Sequence, residues 1–360
     1  MSAAKPFRWA ILGTGGVARK FVLDLKQAGA TAQIVASRDP ENARRFAQSL
    51  GLPEAALSYE DAVSASVDAV YIATPPAQHE AHALMAIAAG KPVLIEKPFA
   101  LDAGAARRIA VAAREAGVFC MEAMWIRFQP LIETLAARIA AGDLGEIRGF
   151  EARFCAATIP DAGSSLFDRE RGGGGLMHRG VYPLSVARHL LGPIDAEWAT
   201  AHLGDTGVDE ESCLTLRHSS GALSTIRSSL RANGPDGVVI YGTAATAYLA
   251  GPVYRPTGGH IQPTSPAPAA TGQAGPRRFE AFRESAAGLR VSRALNRLRG
   301  YRSAKPLSAP FKGNGYHYQA QAVADAVRKG ELEEPRMPLG QSLELMEIVD
   351  RARTAWGMMP

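Results

Sequence analysis

The chain has 360 residues, few cysteines, few aromatics and no long apolar run. Its three cysteines, Cys120, Cys155 and Cys213, are far apart and odd in number. They fit neither a disulfide framework nor a zinc site, so they read as buried reduced thiols and no metal is expected. No stretch of 18 or more residues is apolar, so no membrane-spanning helix is expected. The opening Met1-Ser2-Ala3-Ala4-Lys5-Pro6 lacks the apolar segment of a secretory signal, and a cytoplasmic location is the expectation. A strong excess of one charge is missing too. Forty Lys and Arg against 35 Asp and Glu give +5, too mild to point to nucleic acid by itself. What remains is a chain 47% hydrophobic and 21% charged, suited to two water-soluble domains.

The most informative stretch is Val93-Leu94-Ile95-Glu96-Lys97-Pro98. Its apolar half reads as a buried strand, and Pro98 must end it. Lys97 is thereby delivered to the carboxyl edge of a parallel sheet, where ligands bind. Desolvation there lowers an amine's pKa toward the range useful for proton transfer. The plain alternative is a strand ending in a solvated charge pair.

Upstream, Phe7–Leu12 reads as a strand, followed by Gly13-Thr14-Gly15-Gly16-Val17-Ala18 and a helical pattern. Strand, G-x-G-x-x-A and helix in that order predict a dinucleotide site. Gly13 makes the turn, Gly15 admits a pyrophosphate, and Ala18 allows close packing. The second strand ends in Ser37-Arg38 rather than in an acid. A hydroxyl and a guanidinium suit a 2′-phosphate, which favours NADP, with NAD possible if Arg38 is an ordinary surface residue. Asp39 reads as a helix cap. A further strand ends at Thr74-Pro75, expected beside the nicotinamide half. His79 is counted with the cofactor-side residues, although a plain position at a helix start accounts for it equally well. Strands and helices alternate to residue 122, so residues 1–122 are expected to form a doubly wound parallel sheet.

Residues 123–360 change character. An amphipathic helix over 128–141 leads into period-two alternation from Ile147, and more strands follow at 196–203, 212–218, 222–230, 238–241 and 247–249. Consecutive strands predict a large, open, mostly antiparallel sheet in an α+β domain. Helices can cover one face, leaving the other for a second subunit, hence an expected homodimer or higher homo-oligomer. Between the first two of these strands, four glycines at 172–175 precede a helix carrying His178 and Tyr182 four residues apart. Both side chains can move protons, and a Lys–Tyr pair is a workable acid–base system. Ordinary half-buried packing is the alternative. Residues 254–310 read as an irregular insertion, with a basic stretch at 277–305 that could be a lid, an acidic-partner patch or a solvated helix face. Helices near 316–329 and 339–356 close the chain.

Taken together, these features resemble the Gfo/Idh/MocA family of NAD(P)-dependent oxidoreductases, in its dimeric dihydrodiol and D-xylose dehydrogenase branch. The resemblance rests on Gly13–Ala18, Thr74-Pro75, Glu96-Lys97-Pro98-Phe99, Glu122-Ala123-Met124-Trp125, Gly180-Val181-Tyr182-Pro183, Gly207-Val208-Asp209-Glu210, Gly315-Tyr316-His317-Tyr318 and Trp356-Gly357. It implies a Rossmann domain and an open sheet that often makes a dimer. It also implies a catalytic Lys97 with Tyr182 as its acid–base partner. Glu96 joins Lys97 on the expected cofactor side. His178 stands where the family usually has aspartate. A neutral histidine would not hold Lys97 as ammonium, so a shifted pH optimum or substrate is expected.

The reaction so implied is hydride transfer between nicotinamide and a carbinol carbon of a sugar, cyclic polyol or dihydrodiol. Lys97 and Tyr182 move the proton, and His178 orients substrate or relays. Trp125 and Phe154 would give apolar walls and Arg127 a hydrogen-bonding edge. The alternative is an NADP-binding regulatory or scaffold protein without turnover.

Overall fold

A computed structural model of the chain describes residues 5–161, 163–264, 282, 285–292 and 304–358. The first sheet is built from β1 (Phe7–Leu12), β2 (Ala30–Ala36), β3 (Glu54–Ala55), β4 (Ala69–Ile72), β5 (Val93–Glu96) and β6 (Cys120–Ala123). All six strands are parallel, in the order β3-β2-β1-β4-β5-β6. The order reverses between β1 and β4, so the loops that follow these two strands flank the switch point. Every residue of β4, β5 and β6 is buried. This explains their unbroken apolar runs, because a parallel sheet is covered on both faces. The crossover helices are α1 (Gly16–Asp24), α2 (Pro40–Leu50), α3 (Tyr59–Ser64), α4 (His79–Ala88) and α5 (Ala103–Ala116). Asp39, Ser58 and Asp102 cap α2, α3 and α5 through their side chains, satisfying first-turn N–H groups.

A short turn at Trp125–Phe128 and helix α6 (Pro130–Ala140) lead into the second sheet. Its strands are β7 (Ile147–Cys155), β8 (Ile194–Leu203), β9 (Asp209–His218), β10 (Leu223–Ser229), β11 (Gly237–Gly242), β12 (Ala245–Ala250), β13 (Gly258–Pro263) and β14 (Lys305–Ser308). The order is β14-β13-β12-β11-β7-β10-β9-β8, antiparallel except where β10 lies parallel to β7. That exception arises because helix α7 (Val181–Leu191), β8 and β9 intervene before the chain returns to β7. Gly221, at φ +84°, turns β9 into β10. Strands β13 and β14 fall inside the stretch read as irregular, so the sheet is two strands wider than the alternation suggested. The basic stretch at 277–305 lies outside the described residues apart from 282, 285–292 and 304–305.

The two faces of this sheet differ. Phe150, Leu214, Leu216, Ile226, Val238 and Ile240 point inward and are buried, and α7 packs on β7 and β10. The outer face exposes Trp198, Leu223, Tyr241 and Tyr248. Two closing helices, α8 (His317–Lys329) and α9 (Leu339–Ala355), tie the sheets together. Helix α9 packs on both α5 and β8, and Asp350 accepts from the Ala103 N–H at 2.7 Å. A second tie joins α1 to the segment before α8. Buried Asp24 accepts from the N–H groups of Asn314 and Tyr316, both at 2.9 Å. Among the described residues, no helix is long and apolar enough to cross a membrane.

Candidate active site

The glycine loop shapes one side of a cleft. Gly13 sits at φ +110°, and a Cβ there would lie 2.5 Å from the Ala73 carbonyl oxygen. Only glycine lets the turns after β1 and β4 approach so closely. At Gly15 and Gly16 the same test meets nothing within 4 Å. Space is therefore left open where the first N–H groups of α1 point, and Gly15 offers them no side-chain cap. An uncapped helix start facing open space fits a dinucleotide pyrophosphate. The Thr14 hydroxyl reaches Ser37 at 3.5 Å, linking this loop to the end of β2. Arg38 stands exposed beside them.

Lys97 follows β5 and is half-buried. Its Nζ donates to the backbone carbonyl of His178 at 3.1 Å and lies 4.8 Å from the centre of the Tyr182 ring. Burial lowers its pKa, the carboxyls of Glu96 and Glu122 oppose that, and the charge of Arg179 adds to it. Glu96 itself does not face the crevice. Its carboxyl is buried, takes the Tyr71 hydroxyl at 2.5 Å and the Lys97 N–H at 3.2 Å, and is pushed up to about 7 by burial. It supports the turn from below instead of meeting a cofactor. Glu122 is buried nearby and is likewise raised to about 7 by burial.

His79 is also turned inward. It is 1% exposed, and its ring nitrogens face the carbonyls of Pro98 at 3.0 Å and Thr74 at 2.8 Å. It staples the turn after β4 to the turn after β5, which is the plain reading of this residue. Thr74 is held a second time through its hydroxyl, 3.0 Å from Nδ1 of His82.

The opposite side comes from the second domain. The glycine run at 172–175 leads into one π-helical turn, Leu176–Gly180, which continues as α7. Buried Asp209 accepts from the Leu176 N–H at 2.7 Å. A Cβ on Gly174 would lie 2.1 Å from its Oδ1, so the glycines make room for this carboxyl. The wide turn brings His178 and Tyr182 to the same cavity. His178 Nε2 is buried without a hydrogen-bond partner. Burial, then the charges of Lys97 and Arg179, push its pKa down to about 3, so the ring is neutral at ordinary pH. Tyr182 is 7% exposed, and its oxygen receives the Trp125 indole N–H at 3.3 Å. Burial raises its pKa well above the usual phenol value.

The cavity measures about 330 Å³ and is lined from both domains. It gathers Val17, Lys97, Trp125, Phe154, His178 and Tyr182 from the residues expected on sequence grounds. Arg127 is not among them. It is fully buried and donates to Ser185 Oγ at 2.7 Å, Ser185 O at 3.0 Å and Arg336 O at 2.8 Å. Its guanidinium joins α7 to the segment before α9 and offers no edge to a substrate. The sequence reading missed Tyr254, Tyr316, Arg179 and Arg255, which also line the cavity. Tyr316 stacks on Trp125 at 4.4 Å between centroids, and Tyr254 lies 5.3 Å from Phe154 and 6.1 Å from Tyr182. Tyr316 lay in a quoted motif. Tyr254 and Arg255 sat in the stretch dismissed as irregular.

Two family models match. One, described as an oxidoreductase family with an NAD-binding Rossmann fold, covers residues 7–124, and the Gfo/Idh/MocA C-terminal domain covers 132–248. Trans-1,2-dihydrobenzene-1,2-diol dehydrogenase of Mus musculus is 31% identical, over 98% of this chain and 97% of its own length. This chain belongs to the Gfo/Idh/MocA family. Its Bos taurus relative of the same name is 30% identical over the same shares. KijD10, a 3-ketoreductase from Actinomadura kijaniata solved with NADP and TDP-benzene, is similar at 25% identity and a TM-score of 0.76, over 97% of both chains. Levoglucosan dehydrogenase, solved with NADH and levoglucosan, has a TM-score of 0.79 at 18% identity over 97% of both chains, a likeness of fold. As a Gfo/Idh/MocA member, the protein is an NAD(P)-dependent oxidoreductase of the class acting on CH–OH groups.

Proposed function

We propose that this enzyme moves a hydride between NADP and a carbinol carbon of a sugar, cyclic polyol or trans-dihydrodiol. The observation that carries the reading is the meeting of Lys97 Nζ and the Tyr182 ring, 4.8 Å apart, in a cavity that Val17 of α1 also lines. The bound nicotinamide supplies the hydride chemistry. The residues that would hold the cofactor are Gly13, Thr14, Gly15, Gly16, Val17 and Ala18 at the pyrophosphate, and Thr74 and Pro75 toward the nicotinamide.

For oxidation, a base must take the hydroxyl proton as the carbinol becomes a carbonyl. Lys97 suits that task, because burial makes its neutral amine more accessible. The His178 carbonyl fixes where the amine points. The Tyr182 hydroxyl, steered by Trp125, can hydrogen-bond the same substrate oxygen. Its raised pKa keeps it protonated, so it acts as a donor while Lys97 exchanges the proton. Trp125 and Phe154 offer ring-sized apolar walls, and neutral His178 positions substrate.

Exposed Arg38 beside Ser37 supports NADP over NAD. A second copy of the chain would cover the outer sheet face at Trp198, Leu223, Tyr241 and Tyr248, which stand exposed among the described residues. Sedimentation giving a monomer at working concentration would remove that part. One observation favours binding without turnover: among the described residues, no carboxylate lines the cavity beside Lys97. The test that separates the readings mixes the protein and NADP⁺ with sugars, polyols and diols and follows absorbance at 340 nm. Growth with at least one carbinol substrate is expected. Saturable NADP⁺ binding with no signal across the panel would leave the non-catalytic reading.

A further inference from the structure

The cavity around Lys97 has an unbalanced charge. Among the described residues Lys20, Lys97, Arg179 and Arg255 line it, and no Asp or Glu does. None of the four forms an ion pair among the described residues. Three other partly buried arginines sit on carboxylates, Arg188 on Glu344, Arg231 on Glu210 and Arg336 on Glu334, whereas buried Arg127 and Arg353 are held by neutral acceptors. Arg179 is of the second kind, but unlike those two it lines the cavity. It is 9% exposed, and its guanidinium donates to the carbonyls of Ala156 and Ser229 and, at 2.6 Å, to the Thr158 hydroxyl. These neutral acceptors aim the group without cancelling its charge. Asp236 and Glu211 act on it only through space, and an anionic ligand at the cleft wall would supply the direct contact that they do not.

The four cations divide by position. Lys20 lies on the second turn of α1, beside the pyrophosphate end, and serves the cofactor. Lys97 exchanges a proton. Arg179 and Arg255 remain, both from the second domain and both bordering the aromatic walls. Arg179 lies 5.7 Å from the centre of the Phe154 ring, and Arg255 follows Tyr254, which packs on that same ring. An anion between them would also weaken the push of Arg179 on the Lys97 ammonium.

We infer that the substrate carries an anionic group, a carboxylate or a phosphate, on the ring whose carbinol reacts, and that Arg179 and Arg255 receive it. This rests on the hydride-transfer reading for what happens next, but the recognition can be tested alone. The NADP⁺-loaded protein would be titrated with D-glucuronate, glucose 6-phosphate and glucose, with Trp fluorescence or calorimetry as the readout. Preloading keeps the added anions out of the cofactor's own phosphate site. At least one of the two anions should bind about tenfold tighter than glucose, with the gap narrowing as salt is raised. Which anion leads distinguishes carboxylate from phosphate. Arg255→Gln should shrink the gap severalfold. Because Arg255 is half-buried and unpaired, this variant avoids the folding risk of Arg179→Gln, which should act in the same direction if it folds. Glucose binding as tightly as both anions, or a gap unmoved by Arg255→Gln and by salt, overturns the inference. The same three compounds followed at 340 nm keep the two ideas apart. No turnover of these or of the wider panel of sugars, polyols and diols, with the anion gap intact, removes the hydride-transfer reading and leaves this one standing. Glucose turned over with the same kcat/KM as both anions removes this one alone.

Discussion

The two walls of the cleft are made differently. The first-domain wall is closed upon itself. His79 bridges two turns by their carbonyls, His82 holds the Thr74 hydroxyl, and Glu96 is tied to Tyr71 and to the Lys97 backbone. These polar groups are satisfied internally, and Val17 and Lys20 of α1 stand with Lys97 where the wall meets the cavity. The second-domain wall presents side chains: aromatic rings, a neutral imidazole with an unpartnered nitrogen, and two guanidinium groups without an ion pair among the described residues. A wall closed upon itself suits a ligand common to many enzymes, here the dinucleotide. A wall of varied side chains suits the molecule that distinguishes one enzyme from its relatives. Lys97 is the side chain of the first wall that crosses to touch the second.

The severest break in the comparison is to remove that side chain. Lys97→Met should lower kcat by about 10³-fold, within the range for a lost acid–base group, while NADP affinity changes only a few-fold. Stopped-flow turnover together with a cofactor titration checks it, and a parallel loss of both would put Lys97 on the binding side only. Next comes Arg127, the satisfied counterpart of Arg179 and Arg255. Arg127→Met leaves buried acceptors on Ser185, Arg336 and Gln341 and should cost on the order of 3 kcal/mol of stability. The folded fraction should keep its KM. Thermal melts and Michaelis curves separate the two effects, and a raised KM at unchanged stability would return Arg127 to the substrate. The mildest change sharpens the comparison. In the native chain His178 is neutral, with its pKa pushed down to about 3 by burial first and by the Lys97 and Arg179 charges after it. An Asp carboxylate there favours the ammonium of Lys97 and raises its pKa. Oxidation needs the free amine, so His178→Asp should move the rise of kcat/KM toward higher pH by about 1 unit. A pH–rate profile that stays put would show that position 178 does not bear on Lys97.

Much of the first domain was legible because its signals are local. A strand, a glycine turn and a helix in sequence order fix the crossover, and Asp39 caps α2 as read. The second domain was legible as a class but not in extent. Strands β13 and β14 lie in a stretch rich in Gly and Pro, where alternation is hidden, and β10 pairs with β7 only through a long-range return. Side-chain direction was the least legible property. Glu96 and Lys97 are neighbours, yet one turns under the sheet and the other into the crevice, since adjacent residues at a strand's end face opposite ways. Arg127 was expected to offer the cleft a hydrogen-bonding edge, but it is buried in the turn at Trp125–Phe128 and bonded to Ser185 and Arg336. Tyr254 and Arg255 gave no period at all. They belong to a loop whose meaning comes from what it packs against.

The clasp at Asp24 has a consequence for how the molecule comes into being. A residue near the beginning of the chain grips backbone at Asn314 and Tyr316, close to its end, and Tyr316 stacks on Trp125 over the reaction chamber. A ribosome must therefore make the chain as far as Tyr316 before that chamber has its roof. A fragment cut short of residue 312 would keep the nucleotide loop and Lys97 but lack the lining that Asn314 and Tyr316 supply.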